Sequence, residues 1–182
     1  MDITGILITV ILLAAIAAIW MYNRLVRNRN LVSEAWAGID VQLQKRFELV
    51  PNLVQTVKGY AKHESSVFEE VARIRKTGET RVEARAKQET ALSRSLGRLF
   101  ALSEDYPDLK ASEGYRQLHA SLVEIEDHLQ YARRYYNGAV RDNNNLVESF
   151  PSNIVANMFR FKLAEFFEIE FTSQRSAPNV EL

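Results

Sequence analysis

The stretch YRQLHASLVEIEDHLQYARRYYNGAVRDNNNLVESF, Tyr115–Phe150, decides the fold. Its seam positions are Tyr115, Leu118, Leu122, Ile125, Leu129, Ala132, Tyr136, Ala139, Asn143, Leu146 and Phe150, and they advance by alternating steps of three and four. That alternation holds one face of a helix against a partner helix. It is the spacing of a coiled-coil seam, with Asn143 as its polar interruption. A stripe this long needs other helices to cover it, so the chain reads as all-α. The expected architecture is an N-terminal transmembrane helix followed by an antiparallel bundle of long helices with a short C-terminal helix.

Upstream, Val32, Trp36, Ile39, Leu43, Phe47, Val50, Val54, Val57, Ala61, Phe68 and Val71 follow similar steps, with Glu64 filling one position. Pro51 lies inside this run. It removes a backbone donor and crowds the carbonyl of Phe47, which predicts a bend. Its flanks, Leu49-Val50 and Leu53-Val54, hold no turn residues, so no hairpin is expected there. The first stop is Lys76-Thr77-Gly78-Glu79. Thr80-Arg81-Val82-Glu83 then fits a capping box that opens a second helix, with Leu92, Leu96, Leu99 and Phe100 on its apolar face. Tyr106-Pro107-Asp108 ends that helix, since a residue before proline is steered out of helical geometry. Phe150-Pro151-Ser152 ends the third, with Ser152 as the cap of a last short helix. Phe159, Phe161, Phe166, Phe167 and Phe171 then crowd the C-terminal piece, as a lid on the bundle or as an exposed surface for a partner or lipid.

Ahead of all this, Ile3–Trp20 is apolar apart from Thr4, Gly5 and Thr9. Eighteen residues at ~1.5 Å each approach the thickness of a bilayer's hydrocarbon. A cleaved signal peptide is the rival reading. It calls for positive charge before the run, where only Asp2 and the amino terminus stand, and Ala15-Ile16-Ala17 resembles a cleavage site but falls in mid-run. Trp20, Tyr22, Arg24, Arg27 and Arg29 are the expected membrane-interface anchors, and the three arginines place the body in the cytoplasm by the positive-inside rule. The domain reading is therefore 1–22 transmembrane anchor, 23–171 helical bundle and 172–182 disordered tail.

Composition narrows the function. Twenty-three basic residues balance twenty-three acidic ones, which gives no electrostatic footprint for nucleic acid. The chain has no cysteine, which removes disulfides, thiolate ligands and thiol nucleophiles. His63-Glu64 begins like the helical zinc motif, but Val67 stands where its second histidine belongs. Glu124, Glu126 and His128 suggest a di-iron carboxylate bundle, yet Ile125 precedes His128 by three, where that motif needs glutamate. A solvated helix face explains the cluster better, and His119 reads as a flank residue beside Leu118. The glycines are scattered singly and build no phosphate loop. No catalytic, cofactor or metal residue is nominated, no small-molecule substrate is identified, and the protein is not expected to be an enzyme.

Several blocks share an order with a known family. Tyr22-Asn23-Arg24-Leu25-Val26, Glu34-Ala35-Trp36, Ile39-Asp40-Val41-Gln42-Leu43 with Arg46, Val50-Pro51-Asn52-Leu53-Val54 and Val57-Lys58-Gly59-Tyr60 come first. Tyr106-Pro107-Asp108-Leu109-Lys110-Ala111, Ala132-Arg133-Arg134-Tyr135-Tyr136-Asn137 and Phe150-Pro151-Ser152-Asn153 follow. Together they resemble the LemA family, from about Tyr22 to Phe171, with Thr77–Thr90 as the variable part. The resemblance implies a bacterial protein with an N-terminal membrane helix, a long-helix bundle outside the bilayer and no established catalytic residue. It also implies genes often set beside membrane zinc metalloproteases of the HtpX type. The expected location is the bacterial inner membrane, single-pass. The leading functional reading is an envelope scaffold or adaptor. A regulatory subunit of such a protease is the alternative, and an enzyme with an unrecognised site is the third.

Helix lengths carry one further expectation. A first helix from Asn23 to Lys76 is roughly 80 Å long and a second, Arg81 to Glu104, returns only about 36 Å. A third helix leading outward again leaves the lower half of the first uncovered. Val32, Trp36, Ile39, Leu43 and Phe47 then form an interaction stripe for a homo-oligomer or a membrane-protein partner.

Overall fold

The computed structural model describes residues 2–61, 65–75 and 82–168. Among them are six helices and no strand: α1 Ile3–Tyr60, α2 Ser65–Arg75, α3 Val82–Ser103, α4 Pro107–Ala111, α5 Glu113–Glu148 and α6 Ser152–Met158. The all-α expectation holds, with one long apolar N-terminal helix. His63, Glu64, the stop at Lys76–Glu79, Thr80 and Arg81 of the capping box, Phe171 and the tail 172–182 lie outside the described residues.

α1 runs from the apolar segment into the body without a break, and it carries Pro51 inside it. No hairpin forms at the proline. The first helix nevertheless ends at Tyr60, not Lys76. Phe68 and Val71 of α2 bury in the same core as Val50, Leu53, Val57 and Ala61. The Lys58 ammonium stands 5.3 Å from the centre of the Phe68 ring. Ten residues along one helix would separate the two by ~15 Å, so α2 has to fold back along the end of α1.

The contacts sort the chain into two units, Met1–Asp40 with Tyr131–Glu165, and Val41–Gln130 with Phe166–Leu182. The second unit is a four-helix arrangement with alternating directions. α2 returns along α1. α3 reverses again, with Gln88 Nε2 donating to the Ile74 carbonyl at 2.8 Å and Arg98 donating to Glu70 at 2.7 Å. α4 is a short connector: Pro107 opens it, where its missing N–H costs nothing, and Leu109 is buried. α5 then runs antiparallel to α3, since the Tyr115 hydroxyl donates to Ser103 Oγ at 2.6 Å and His119 lies 4.5 Å, ring to ring, from Phe100. Leu92, Leu96, Leu99, Leu109, Tyr115 and Leu122 complete this core.

In the first unit α5 runs antiparallel to α1. The Trp36 ring packs edge-on against Tyr136 at 5.4 Å, while Leu146 and Val147 reach the cluster around Leu25. The seam read in α5 faces inward almost throughout; Phe150, just past its end, is exposed. α6 buries Val155 and Ala156 against Leu25. Ser152 does not cap it: its hydroxyl donates to the Ser149 carbonyl at 2.9 Å, and Pro151 holds the cap position. Residues 161–165 are non-helical and are stitched to α5. Asn144 Nδ2 donates to the Ala164 carbonyl at 3.0 Å and the Ala164 N–H donates back to Asn144 Oδ1 at 2.8 Å. The Tyr136 hydroxyl donates to the Glu165 carbonyl at 2.8 Å. Burial and the neighbouring Glu165 carboxylate raise the Tyr136 pKa above 10.0.

Candidate functional site

The interaction stripe is not an open surface. Ile39 and Leu43 are buried within the chain, Val32 and Trp36 are half-buried, and Phe47 is exposed. This corrects the expectation of an uncovered lower half of α1, because α5 comes back along it instead of leading away. The buried line of α1 is Leu25, Ala35, Ile39, Leu43, Arg46, Val50, Leu53 and Val57. It is rotated by one position from the reading through Phe47 and Val54.

Arg46, one of the residues that carry the family resemblance, was given no structural role by sequence reasoning. Its guanidinium lies 3.1 Å from Glu126 Oε2 and 3.7 Å from Glu89 Oε2, and Nη2 donates to Ser93 Oγ at 2.9 Å. Arg85 Nε approaches Glu89 at 3.9 Å. The signal was present, since Arg46 and Glu89 are opposite charges that both fall on core-facing positions of their helices. Glu126 thus joins the interior network instead of a solvated face, whereas Glu124 and His128 form an exposed i,i+4 pair at 3.6 Å. His119 is half-buried beside Phe100 and Tyr115, as a flank residue would be. Among the described residues no group of three metal-ligating side chains gathers.

Among the expected interface anchors, Trp20, Tyr22, Arg24 and Arg29 make aromatic contacts. Arg24 stacks on the Trp20 ring at 5.3 Å, and Arg29 on Phe161 at 5.4 Å. Tyr22 meets Phe159 and Phe161 edge-on, at 4.8 and 5.8 Å. Beside them opens a cleft of about 720 Å³, lined from α1 by Ala17, Trp20, Met21, Arg24 and Asn28. Its other wall is the α5–α6 elbow, including Asn145, Ser149, Phe150 and Pro151. The preceding apolar residues are exposed on every side of α1: of its 18-residue apolar window, none is buried. The C-terminal aromatics split between the two expectations. Phe167 is buried and Phe161 half-buried, while Phe159 and Phe166 remain exposed.

Residues 35–182 match the model of the LemA family. The chain belongs to the LemA family. Magnetosome protein MamQ 2 of Paramagnetospirillum magneticum is 28% identical over 184 residues, which cover 85% of this chain and 68% of that protein. Protein LemA of Metamycoplasma hominis is 25% identical over 154 residues, covering 81% of this chain and 70% of that one. This LemA-family chain is a membrane-associated helical protein, with a single helix among its described residues long and apolar enough to span a bilayer.

Proposed function

We propose that this protein is a membrane-tethered scaffold or adaptor of the bacterial envelope and acts through protein–protein contacts rather than catalysis. One observation carries the reading: in the first unit α5 packs along α1 next to the exposed apolar segment, with Trp36 against Tyr136 and Leu146 beside the Leu25 cluster. A surface fastened to its anchor in this way suits presentation to partners more than capture of a diffusing substrate. Tyr131 and Tyr135, one turn apart and both exposed on α5, offer such a surface. Tyrosines are enriched where proteins meet. Arg24, Arg27 and Arg29 follow the apolar run and favour a cytoplasmic body in a single-pass inner-membrane protein.

Affinity capture of the full chain from detergent-solubilised membranes tests the role, with Tyr131→Ala/Tyr135→Ala as the comparison. The scaffold reading expects envelope proteins or further copies of the chain in the wild-type eluate, depleted in the variant. A membrane metalloprotease recovered in fixed ratio would replace it with the regulatory-subunit reading. A fluorescent reporter that matures only in the cytoplasm, fused after Leu182, tests the sidedness and should glow.

A further inference from the structure

We propose that the α5–α6 elbow is a foot immersed in the interfacial layer of the same bilayer that α1 enters. The inference rests on the reading that Ile3–Trp20 is a membrane span. α6 is two-faced: Ser152, Val155 and Ala156 are buried toward the body. On the other side Ile154 and Met158 are 55% and 72% exposed, flanked by Phe150 at 80% and Phe159 at 56%. Four large apolar side chains on so short a segment form a patch that water does not favour.

The level of this patch along α1 names what covers it. Phe150 and Pro151 line one cleft with Ala17 and Trp20, and Ala18 packs on the cluster formed by Leu25, Val155 and Ala156. Trp20 closes the apolar run, so Ala17 lies about 4.5 Å inside its end. Phe159 meets Tyr22 one turn higher on average, where amphipathic rings gather at the boundary between hydrocarbon and headgroups. The elbow is therefore fastened to the part of α1 where lipid begins. No joint in α1 allows it to lift away. The rim fits as well: Arg24, stacked on Trp20 at the end of the apolar run, and the exposed Arg160 and Lys162 just past Phe159 add positive charge beside the apolar patch, which suits contact with lipid phosphates. A short amphipathic helix rimmed by basic residues has the composition of an interfacial segment, and here the anchor supplies the second membrane signal that such a weak element needs.

The absence of cysteine allows a direct test by single-site nitroxide labelling of the full chain. Ile154→Cys and Phe150→Cys would be labelled in liposomes of phosphatidylethanolamine and phosphatidylglycerol, with Ile11→Cys as the mid-span control and the exposed Glu34→Cys, farther along α1, as the aqueous control. Collision with dissolved oxygen and with a water-soluble nickel chelate is then compared. The proposal expects both elbow labels to collide with nickel severalfold less than the Glu34 label while keeping oxygen collisions above it. Nickel access equal to that at Glu34 would place the elbow in water. Exclusion of both reagents would mean that protein, a second copy or a partner, covers the patch. Either result overturns the proposal. An Ile11 label open to nickel would instead refute the membrane-span reading beneath it, so the two failures are distinguishable.

Discussion

Replacing Arg46 with alanine probes how this fold tolerates charge in its interior. The guanidinium side chain is 5% exposed and faces Glu89 at 8% and Glu126 at 27%. Alanine removes the cation and leaves Glu89 in the core with Arg85, 3.9 Å away, as the weaker partner. Breaking a buried pair from one side costs roughly 3–5 kcal/mol, because the remaining carboxylate keeps its desolvation penalty and loses its compensation. Arg85 and partial access to water at Glu126 pull the expectation to the lower end, about 3 kcal/mol. For a chain of this size that is a loss of roughly 6–12 °C in Tm. Lys87→Ala is the internal control, since the Lys87–Glu83 pair is more than half exposed on both sides and such pairs contribute ~0–1 kcal/mol. The assay is denaturation of the full chain in mild detergent, followed by tryptophan emission and far-UV ellipticity. Arg46→Met with Glu89→Leu should recover most of the loss, because replacing a whole buried pair with apolar groups is often neutral. Equal losses from Arg46→Ala and Lys87→Ala would show that water reaches the cluster, and the account of a buried network would fall.

Leu43→Glu places a charge where the native side chain is 2% exposed, and it should cost at least about 3 kcal/mol; a stable variant that only changes oligomeric state would restore the open-stripe reading. Tyr136→Phe bears on alkaline stability. The folded state holds the Tyr136 proton more tightly than the unfolded chain, so its contribution is full below pH 10.0 and is lost as pH rises through the raised folded value. The phenylalanine variant should lose less stability than the wild type in that range, and identical pH profiles would exclude Tyr136 as the source. Pro51→Ala restores a helical donor inside α1 and should keep the fold, with a gain of up to ~3 kcal/mol in thermal or chemical denaturation; unfolding of this variant would show that the proline's shape is needed where it lines the groove with Phe68 and Val71.

Much of the molecule was legible from spacing alone. The α5 seam and the apolar start of α1 are long and strongly periodic, and α3 closes within a residue or two of its reading. Arg46 and Glu89 each fall on a core-facing position, but which internal polar groups pair was not legible, because the pairs join distant positions: Arg46 to Glu89, and Asn144 to the backbone of residue 164. Hydrophobic patterning drew the α1 stripe through Phe47, since it treats arginine as an outward residue. Asn143 was noticed as the polar member of the seam. Its neighbour Asn144 holds the C-terminal segment, a role that depends on where that segment returns.

The costliest miss was a single turn. Phe68 and Val71 continue the three-and-four spacing of Val50, Leu53 and Val57 because both arms of a helical hairpin face the same core. Periodicity therefore cannot distinguish a helix that continues from one that turns back, and only the modest helix-breaking tendency of Gly59 marks the place. Antiparallel bundles alternate direction with each connection, so one overlooked turn inverts the direction of every helix that follows. With the turn absent, the last long helix leads outward and strips α1 of cover. With it present, α5 returns along α1, Trp36 meets Tyr136, and α5 delivers Phe150 and α6 to the level of Ala17 and Tyr22. The same correction that closes the stripe thus brings a second apolar element to the membrane end of the molecule. The surface left to explain moves from Ile39 and Leu43 to Phe150, Ile154 and Met158, and the bilayer is the nearest apolar phase to cover it.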